Sequence, residues 1–517
     1  MMKRSRNRAA VLSVVTAAVL AAPLSAWAAA PPPAHDPVFP GLGNSGYRVT
    51  NYDLSFRYQP EEKGHPVEGD AVITAKASER LARFTLDAHG LRVRSVKVDG
   101  RTAGFETVGE KLTVRPRRAV APGSRMEVEI RYDVNPQAPR GDTGWAKTDK
   151  GFAVAAQPDA AHTVFPCNDV PSDKAWFTFH VSVPSGSGDI AVASGLPVGK
   201  PVKRHGYTTY TYRTKHPMAT ELTQVAVGPY EVVRRGTVEG VPLRDVVPRA
   251  GAGDFGALRL TPQQMKWAVK NLGPFPLETY GIMPLATDSE KPFGFSGLET
   301  QNLTVYNPKY LREQPVKTVA PHMMHELAHS WFGVSTTPAT WADNWLSEGH
   351  ANYYAFRYRF ANGWPTNDDK HTDMASTMKE VYENGDLYRR LYGPVAEPTK
   401  KSLHSDQAYL GGPLVLYALH QKVGDTAFRR IEKAFLAQYK DRSATTDDYI
   451  AVADRVVPHQ GLVPFLDAWL KGTRTPPMPG HGDWKVTPLS ELDGKEREAA
   501  LARDKEIAEL VSNPGAG

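Results

Sequence analysis

A chain of 517 residues is long enough for about three domains, each able to bury a core of its own. Hydrophobic residues at 41% and charged residues at 23% are ordinary globular usage, which excludes a collagen-like, coiled-coil or wholly disordered chain. The formal charge of +6 does not mark a nucleic-acid binder: Lys3, Arg4, Arg6 and Arg8 supply four of the basic residues, and without them 58 basic residues face 56 acidic ones, an excess of only two with which to neutralise phosphates.

Those four charges open residues 1–28, which read as a signal peptide: a basic start, an apolar run from Ala9 to Ala26, and a small-x-small cleavage site at Ala26-Trp27-Ala28. The run is short and broken by Pro23, so an uncleaved membrane anchor is the lesser alternative. No later stretch is long and apolar enough for a stable membrane span after cleavage. The expected location is therefore secreted, extracellular. Cys167 is the single cysteine, which excludes an intramolecular disulfide and reads as a buried small hydrophobe.

Residues 29–45, rich in proline and alanine, read as a linker. Residues 46–235 carry a period of two: Tyr52, Leu54, Phe56 and Tyr58 alternate with polar residues, as do Met126, Val128, Ile130 and Tyr132, and Asp99-Gly100 after Val96-Lys97-Val98 is a favoured tight hairpin turn. This span is expected to be an antiparallel β domain. Residues 236–476 turn to mixed structure. Helical spacing is expected over 254–272, 319–332, 348–360, 411–422 and 426–439, with Gly and Pro between the helices. Residues 477–517 read as a helical tail, its charged helix over 489–511.

The chemistry concentrates in His325-Glu326-Leu327-Ala328-His329. Positions i and i+4 share a helix face, so both imidazoles can converge on one metal ion with Glu326 beside it. After eighteen intervening residues beyond His329, Glu348 opens another helical run and offers a third ligand. Two His nitrogens and one carboxylate leave a position open for water, the pattern of a catalytic zinc site with one Zn2+ per chain. The same donors suit non-haem Fe(II), but a glutamate set between the histidines suits water activation, which favours zinc and a general-base role for Glu326.

With Trp341 to Ala351 (WADNWLSEGHA) following His325 to Gly333 (HELAHSWFG), the chain resembles the aminopeptidase N family of zinc metallopeptidases, the gluzincins with the HExxH-x18-E pattern, as a short secreted member. Phe165-Pro166-Cys167-Asn168-Asp169-Val170-Pro171 with Lys174-Ala175 is similar to the family's loop between β domain and active site. The resemblance implies that Gln157 helps bind the substrate's amino terminus. It likewise implies that Ser296-Gly297-Leu298-Glu299-Thr300 is the substrate-binding segment, with Gly297 on the peptide and Glu299 on its α-ammonium group. Tyr409, in Tyr409-Leu410-Gly411-Gly412-Pro413, resembles the family's catalytic tyrosine. On chemistry alone a carboxylate is the natural partner of a free amino terminus, and a phenol can donate to a developing oxyanion.

The expected fold is α+β and multidomain: an N-terminal antiparallel β domain, then a thermolysin-like mixed α/β catalytic domain, without the family's large C-terminal helical domain. The expected activity is a secreted zinc aminopeptidase acting, as a monomer, on peptide substrates with a free N-terminus. A thermolysin-type endopeptidase is the alternative, because a cleft without that lid is more open, and a catalytically silent zinc-binding protein is a third reading. Among the neighbours, His322 could supply a fourth nitrogen but would close the site, and His350 should point away from the metal. Asp343 and Asn352 are candidates to orient the ligating histidines. Trp331, Trp341 and Trp345 are expected in the core.

Overall fold

The computed structural model describes residues 36–488 except 63, 137–143 and 251–254, together with Gly494. The expected signal peptide, the start of the linker and, Gly494 apart, the 489–511 helix lie outside the described residues. Among the described residues no helix is long and apolar enough to cross a membrane.

The N-terminal half is β-rich. Its main sheet has nine strands, with Tyr47–Tyr58 near the middle between Trp176–Pro184 and Val67–Ala77. Tyr52, Leu54 and Phe56 are at most 1% exposed while their neighbours look outward, which is the half-buried strand that alternation implies. The pairing departs from the expected antiparallel order at one seam. Tyr47–Tyr58 and Trp176–Pro184 run parallel, Asn51 against Trp176 through Arg57 against Ser182. Period-two alternation fixes which face is buried but carries no strand direction, so this seam was not readable from the pattern. Asp99 and Gly100 both have positive φ, 50° and 70°, as a two-residue turn between Arg92–Val98 and Arg101–Thr102 requires.

The second half is mixed and mostly helical. A three-stranded sheet places Thr304–Tyr306 between Ile282–Pro284, parallel, and the edge strand Gly297–Leu298, antiparallel. Helices follow at Thr261–Leu272, Val316–Ala328, Trp345–Ala361, Gly412–Val423 and Asp425–Tyr439, close to the expected spans. Position 236, where the second domain was expected to begin, lies inside the strand Tyr230–Val238, which pairs with Val241–Pro248. The hairpin serves both cores. Tyr230 and Val246 pack with the β half, and Val241, Leu243 and Val247 with the helical half. Trp331, Trp341 and Trp345 are all buried.

Residues 36–45 are no free linker. Asp36 Oδ1 accepts from the N–H groups of Val38 and Phe39, its Oδ2 accepts from Trp341 N at 2.7 Å, and Val38, Phe39 and Leu42 pack with Trp341 and Leu403. The Pro/Ala composition concealed three apolar anchors and one carboxylate that tie this segment to the catalytic half. Cys167 is buried, with its thiol pushed well up by desolvation, as expected of an inert core cysteine.

Phe56 packs in the core of the central strand at 1% exposure, so Phe56→Ala should cost about 3–5 kcal/mol. Denaturant unfolding of the zinc-loaded protein checks this; a loss below about 1 kcal/mol would mean that this sheet is not the packed core described.

Candidate active site

The helix Val316–Ala328 delivers His325 and Glu326, and His329 caps it. The two imidazoles meet on one face, with centroids 4.5 Å apart and Nε2 atoms 3.0 Å apart. Glu348 lies in the first turn of Trp345–Ala361, with Oε2 3.3 Å from His325 Nε2 and 3.5 Å from His329 Nε2. Three ligands at about 2.0–2.1 Å around a tetrahedral ion would sit about 3.3 Å from one another. The observed triangle fits. Glu348 Oε2 is buried and makes no hydrogen bond among the described residues, so this oxygen is left for a cation.

The outer contacts explain how the ligands are aimed. His329 Nδ1 lies 3.1 Å from the Phe332 carbonyl and 3.0 Å from Ser347 Oγ, so it carries the proton and leaves the Nε2 lone pair for metal. Gly333 makes that contact possible. Its φ is +116°, and a Cβ there would lie 2.3 Å from Ser347 Oγ and 3.1 Å from His329 Nδ1. Neither Phe332 nor Ser347 was singled out from the sequence, since a backbone carbonyl leaves no residue-type signal and serine is common.

Of the two residues proposed for this orienting role, Asn352 reaches a ligating histidine and Asp343 does not. Asp343 touches neither histidine: it caps the turn Trp341–Asp343 through Thr340, and its Oδ1 accepts from both the N–H and the hydroxyl of Thr446 at 2.8 Å. An acid in a first turn has backbone N–H groups within reach, and these claimed it. The Asn352 side chain hydrogen-bonds His325, which favours the protonated ring, and its Nδ2 also donates to the Tyr409 carbonyl at 2.7 Å. It therefore ties the Tyr409 turn to the Glu348 helix.

Tyr409 sits in the turn Gln407–Gly411, its ring centroid 6.2 Å from that of His325. Burial, reinforced by Glu348, Glu299 and Glu326, pushes its hydroxyl well above the usual range, so the phenol keeps its proton. Glu299 follows the edge strand Gly297–Leu298 and is 5% exposed. Its Oε1 accepts from Gln157 Nε2 at 2.7 Å and lies 3.8 Å from His329 Nδ1. Glu299, Glu326 and His329 form a second cluster whose ligand atoms lie within 4.8 Å of one another. Gly297 packs directly on the base, since a Cβ there would lie 2.7 Å from Glu326 Oε1 and 2.7 Å from His322 Cε1.

Too much negative charge is buried here for the histidines alone. Desolvation pushes the Glu326 carboxyl well above its usual range, helped by Glu299 and Glu348 and opposed by His329. Burial works against protonation of His329, yet Glu299 and Glu348 outweigh it and lift the ring to about 10. Glu348, which burial would raise, is held below the usual range by His329 and His325. Without a metal ion the surrounding carboxylates favour a positive charge on His329, a charge that a cation bound at Nε2 would replace.

His322 is no ligand. Its ring packs against Tyr310 and Tyr306, with Nε2 3.6 Å from Glu326 Oε1, and desolvation takes it down to about 3, which keeps it neutral. His350 points away as expected: it stacks on Phe332 at 4.1 Å and lies 3.5 Å from Glu432. Glu221 was overlooked. This buried carboxylate, raised well above its usual range by desolvation and then by Glu299, is also within electrostatic reach of His329 and Lys174 and lacks any motif around it.

Comparison with known proteins agrees with this geometry. Residues 49–222 match the Peptidase M1 N-terminal domain and residues 257–469 the Peptidase family M1 domain. The chain is 24% identical over 432 residues to aminopeptidase N of Lactobacillus helveticus, covering 78% of this chain and 48% of that one. It is 25% identical over 346 residues to glutamyl aminopeptidase of Homo sapiens, covering 65% and 35%. It thus spans about half or less of the length of these relatives. A crystal structure of an M1 zinc metallopeptidase mutant from Deinococcus radiodurans, bound to a Tyr-Ser-Ala substrate, superposes with a TM-score of 0.72 at 29% identity, covering 86% of this chain and 98% of that one. The chain belongs to peptidase family M1, the zinc metallopeptidases that include aminopeptidase N, and has the two-domain fold of its structural neighbours. The three donors His325, His329 and Glu348 suit the family's zinc ion.

If Glu348 is the third ligand, Glu348→Ala should reduce zinc, read by elemental analysis, from about one ion per chain to a small fraction. Ser347→Ala should weaken zinc binding by on the order of tenfold, measured against a competing chelator. Full zinc retention in Glu348→Ala would remove that ligand from the centre.

Proposed function

We propose that this chain is a secreted zinc aminopeptidase that removes amino-terminal residues from peptides. The observation that carries the reading is Glu299, a buried carboxylate held by Gln157 and set beside the metal cluster. Glu299, Glu326 and Glu348 carry three negative charges when ionised. One Zn2+ and one α-ammonium group would neutralise them, and a buried charge left unmatched costs several kcal/mol. A carboxylate anchor next to the metal also fixes how far the scissile bond lies from the amino terminus, which limits cleavage to the first residue. M1 zinc metallopeptidase mutants similar in structure to this chain have been crystallised with a Tyr-Ser-Ala substrate, with L-tryptophan and with L-arginine, which supports small peptides as substrates here.

When bound, zinc lowers the pKa of a coordinated water to about 7 and polarises a carbonyl. The protein's residues do the remainder. Glu326 Oε2, buried and without a hydrogen-bond partner among the described residues, takes the proton from the attacking water and returns it to the leaving amine. The Tyr409 hydroxyl donates to the carbonyl oxygen as its charge develops. The edge strand Gly297–Leu298 offers its open side to the substrate backbone. Secretion rests on residues 1–28 alone and is tested by sequencing the amino terminus of the exported protein, expected at Ala29. An intact Met1 on exported or membrane-bound protein would point to a retained anchor.

Glu326→Gln should keep zinc and fold while kcat falls by on the order of a hundred- to ten-thousandfold. Tyr409→Phe should lower kcat by on the order of a hundredfold or more with little change in melting temperature. Near-normal turnover in either variant would return that residue to a packing role. Glu299→Ala should depress cleavage of free-amine peptides by on the order of a hundredfold and leave slow cleavage of acetylated ones nearly unchanged. Equal losses on both would favour the endopeptidase alternative.

A further inference from the structure

Lys174 is a buried cation that the mechanism above does not use. It leaves the β half in the segment that follows Asp173, is 6% exposed, and extends into the catalytic half. There Nζ donates to two consecutive backbone carbonyls, Val334 O and Ser335 O, both at 2.8 Å. Burial pushes its ammonium down to about 7, and Asp441 and Glu221 oppose that shift. A buried ammonium on two neutral acceptors is a costly arrangement.

The two carbonyls belong to the loop that seats His329. Phe332 O accepts a hydrogen bond from His329 Nδ1, Gly333 crosses the imidazole edge at positive φ, Val334 N donates to His329 O at 2.9 Å and Ser335 N to Ser330 O at 3.1 Å. This loop follows the helix as irregular backbone, and Lys174 is the charged group that grips it from the other half. A second tie lies alongside, where the Thr337 hydroxyl donates to Pro171 O at 3.3 Å.

We propose that Lys174 is a positioning residue for the zinc centre: by clamping the Val334 and Ser335 carbonyls it holds the loop that fixes the tautomer and aim of His329, so zinc affinity depends on a side chain supplied by the β half. The inference rests on the zinc centre of His325, His329 and Glu348. It does not depend on which peptide bond is cleaved.

The test is zinc affinity of the full chain, measured by competition with a chelator of known affinity, for the parent, Lys174→Met and Leu112→Ala. Leu112 is fully buried in the β core, so its truncation destabilises the same half without touching the loop. Lys174→Met should bind zinc on the order of ten- to a hundredfold more weakly, as expected when a partner that orients a ligand is lost. Leu112→Ala should lose melting temperature and keep its zinc affinity within about twofold, the scatter of an independent site. If the methionine variant does not fold, Lys174→Gln, which can still donate to one carbonyl, is scored by the same comparison. Affinity within about twofold of the parent, or an equal loss in Leu112→Ala, would make Lys174 a domain staple only and overturn the proposal. A parent that binds no zinc would overturn both this inference and the metal centre, whereas a parent that binds zinc but ignores free amino termini would defeat the aminopeptidase reading and leave the Lys174 result standing.

Discussion

Three buried carboxylates within reach of two buried imidazoles are the constraint on which the rest of the structure depends. Glu299, Glu326 and Glu348 are each at most 5% exposed, and water that would otherwise solvate them is excluded by both halves of the chain. Such a cluster is unfavourable unless cations enter it: without a metal ion the carboxylates lift His329 to about 10, and desolvation pushes Glu326 well above its usual range. The fold must therefore hold like charges together against repulsion until a metal ion and a substrate arrive. Rigid support is needed on every side.

That support comes from separate parts of the sequence. One helix aims His325 and Glu326, a second brings Glu348, an edge strand ends at Glu299, and the β half adds Gln157. Gly297 and Gly333 are needed because backbone passes within contact of Glu326 in one case and of His329 in the other. Asn352 fastens the Tyr409 turn to the Glu348 helix. Residues 36–45 fold back onto Trp341 through Asp36, close to the start of that helix. The β half is thus part of the site, reaching it through Gln157 and Lys174.

The centre itself was legible in the sequence, because helix periodicity converts the spacing of His325 and His329 directly into a shared face, and a third ligand at Glu348 narrows the chemistry further. The resemblance to aminopeptidase N carried Gln157, Glu299 and Tyr409, which the structure brings around the same cluster. What escaped depends on backbone rather than on residue type. The Phe332 carbonyl, the Gly333 crossing and the parallel pairing of Tyr47–Tyr58 with Trp176–Pro184 have no side-chain signature. Asp343 was a reasonable partner for a histidine by type, but its place in a first turn gave it to Thr340 and Thr446. Residues 36–45 were concealed by composition, since a few apolar anchors suffice to dock a proline-rich segment.

Under the proposed function, the cluster is completed by two cations, zinc and the substrate's own α-ammonium group. The most direct measurement is kcat/KM of the zinc-loaded parent on a panel of aminoacyl anilides beside their N-acetylated counterparts. The account predicts that acetylation, which removes the charge and leaves the scissile bond intact, lowers kcat/KM by at least on the order of a hundredfold across the panel. Equal rates on the two series would contradict it, because the buried carboxylate at Glu299 would then have no part in binding substrate.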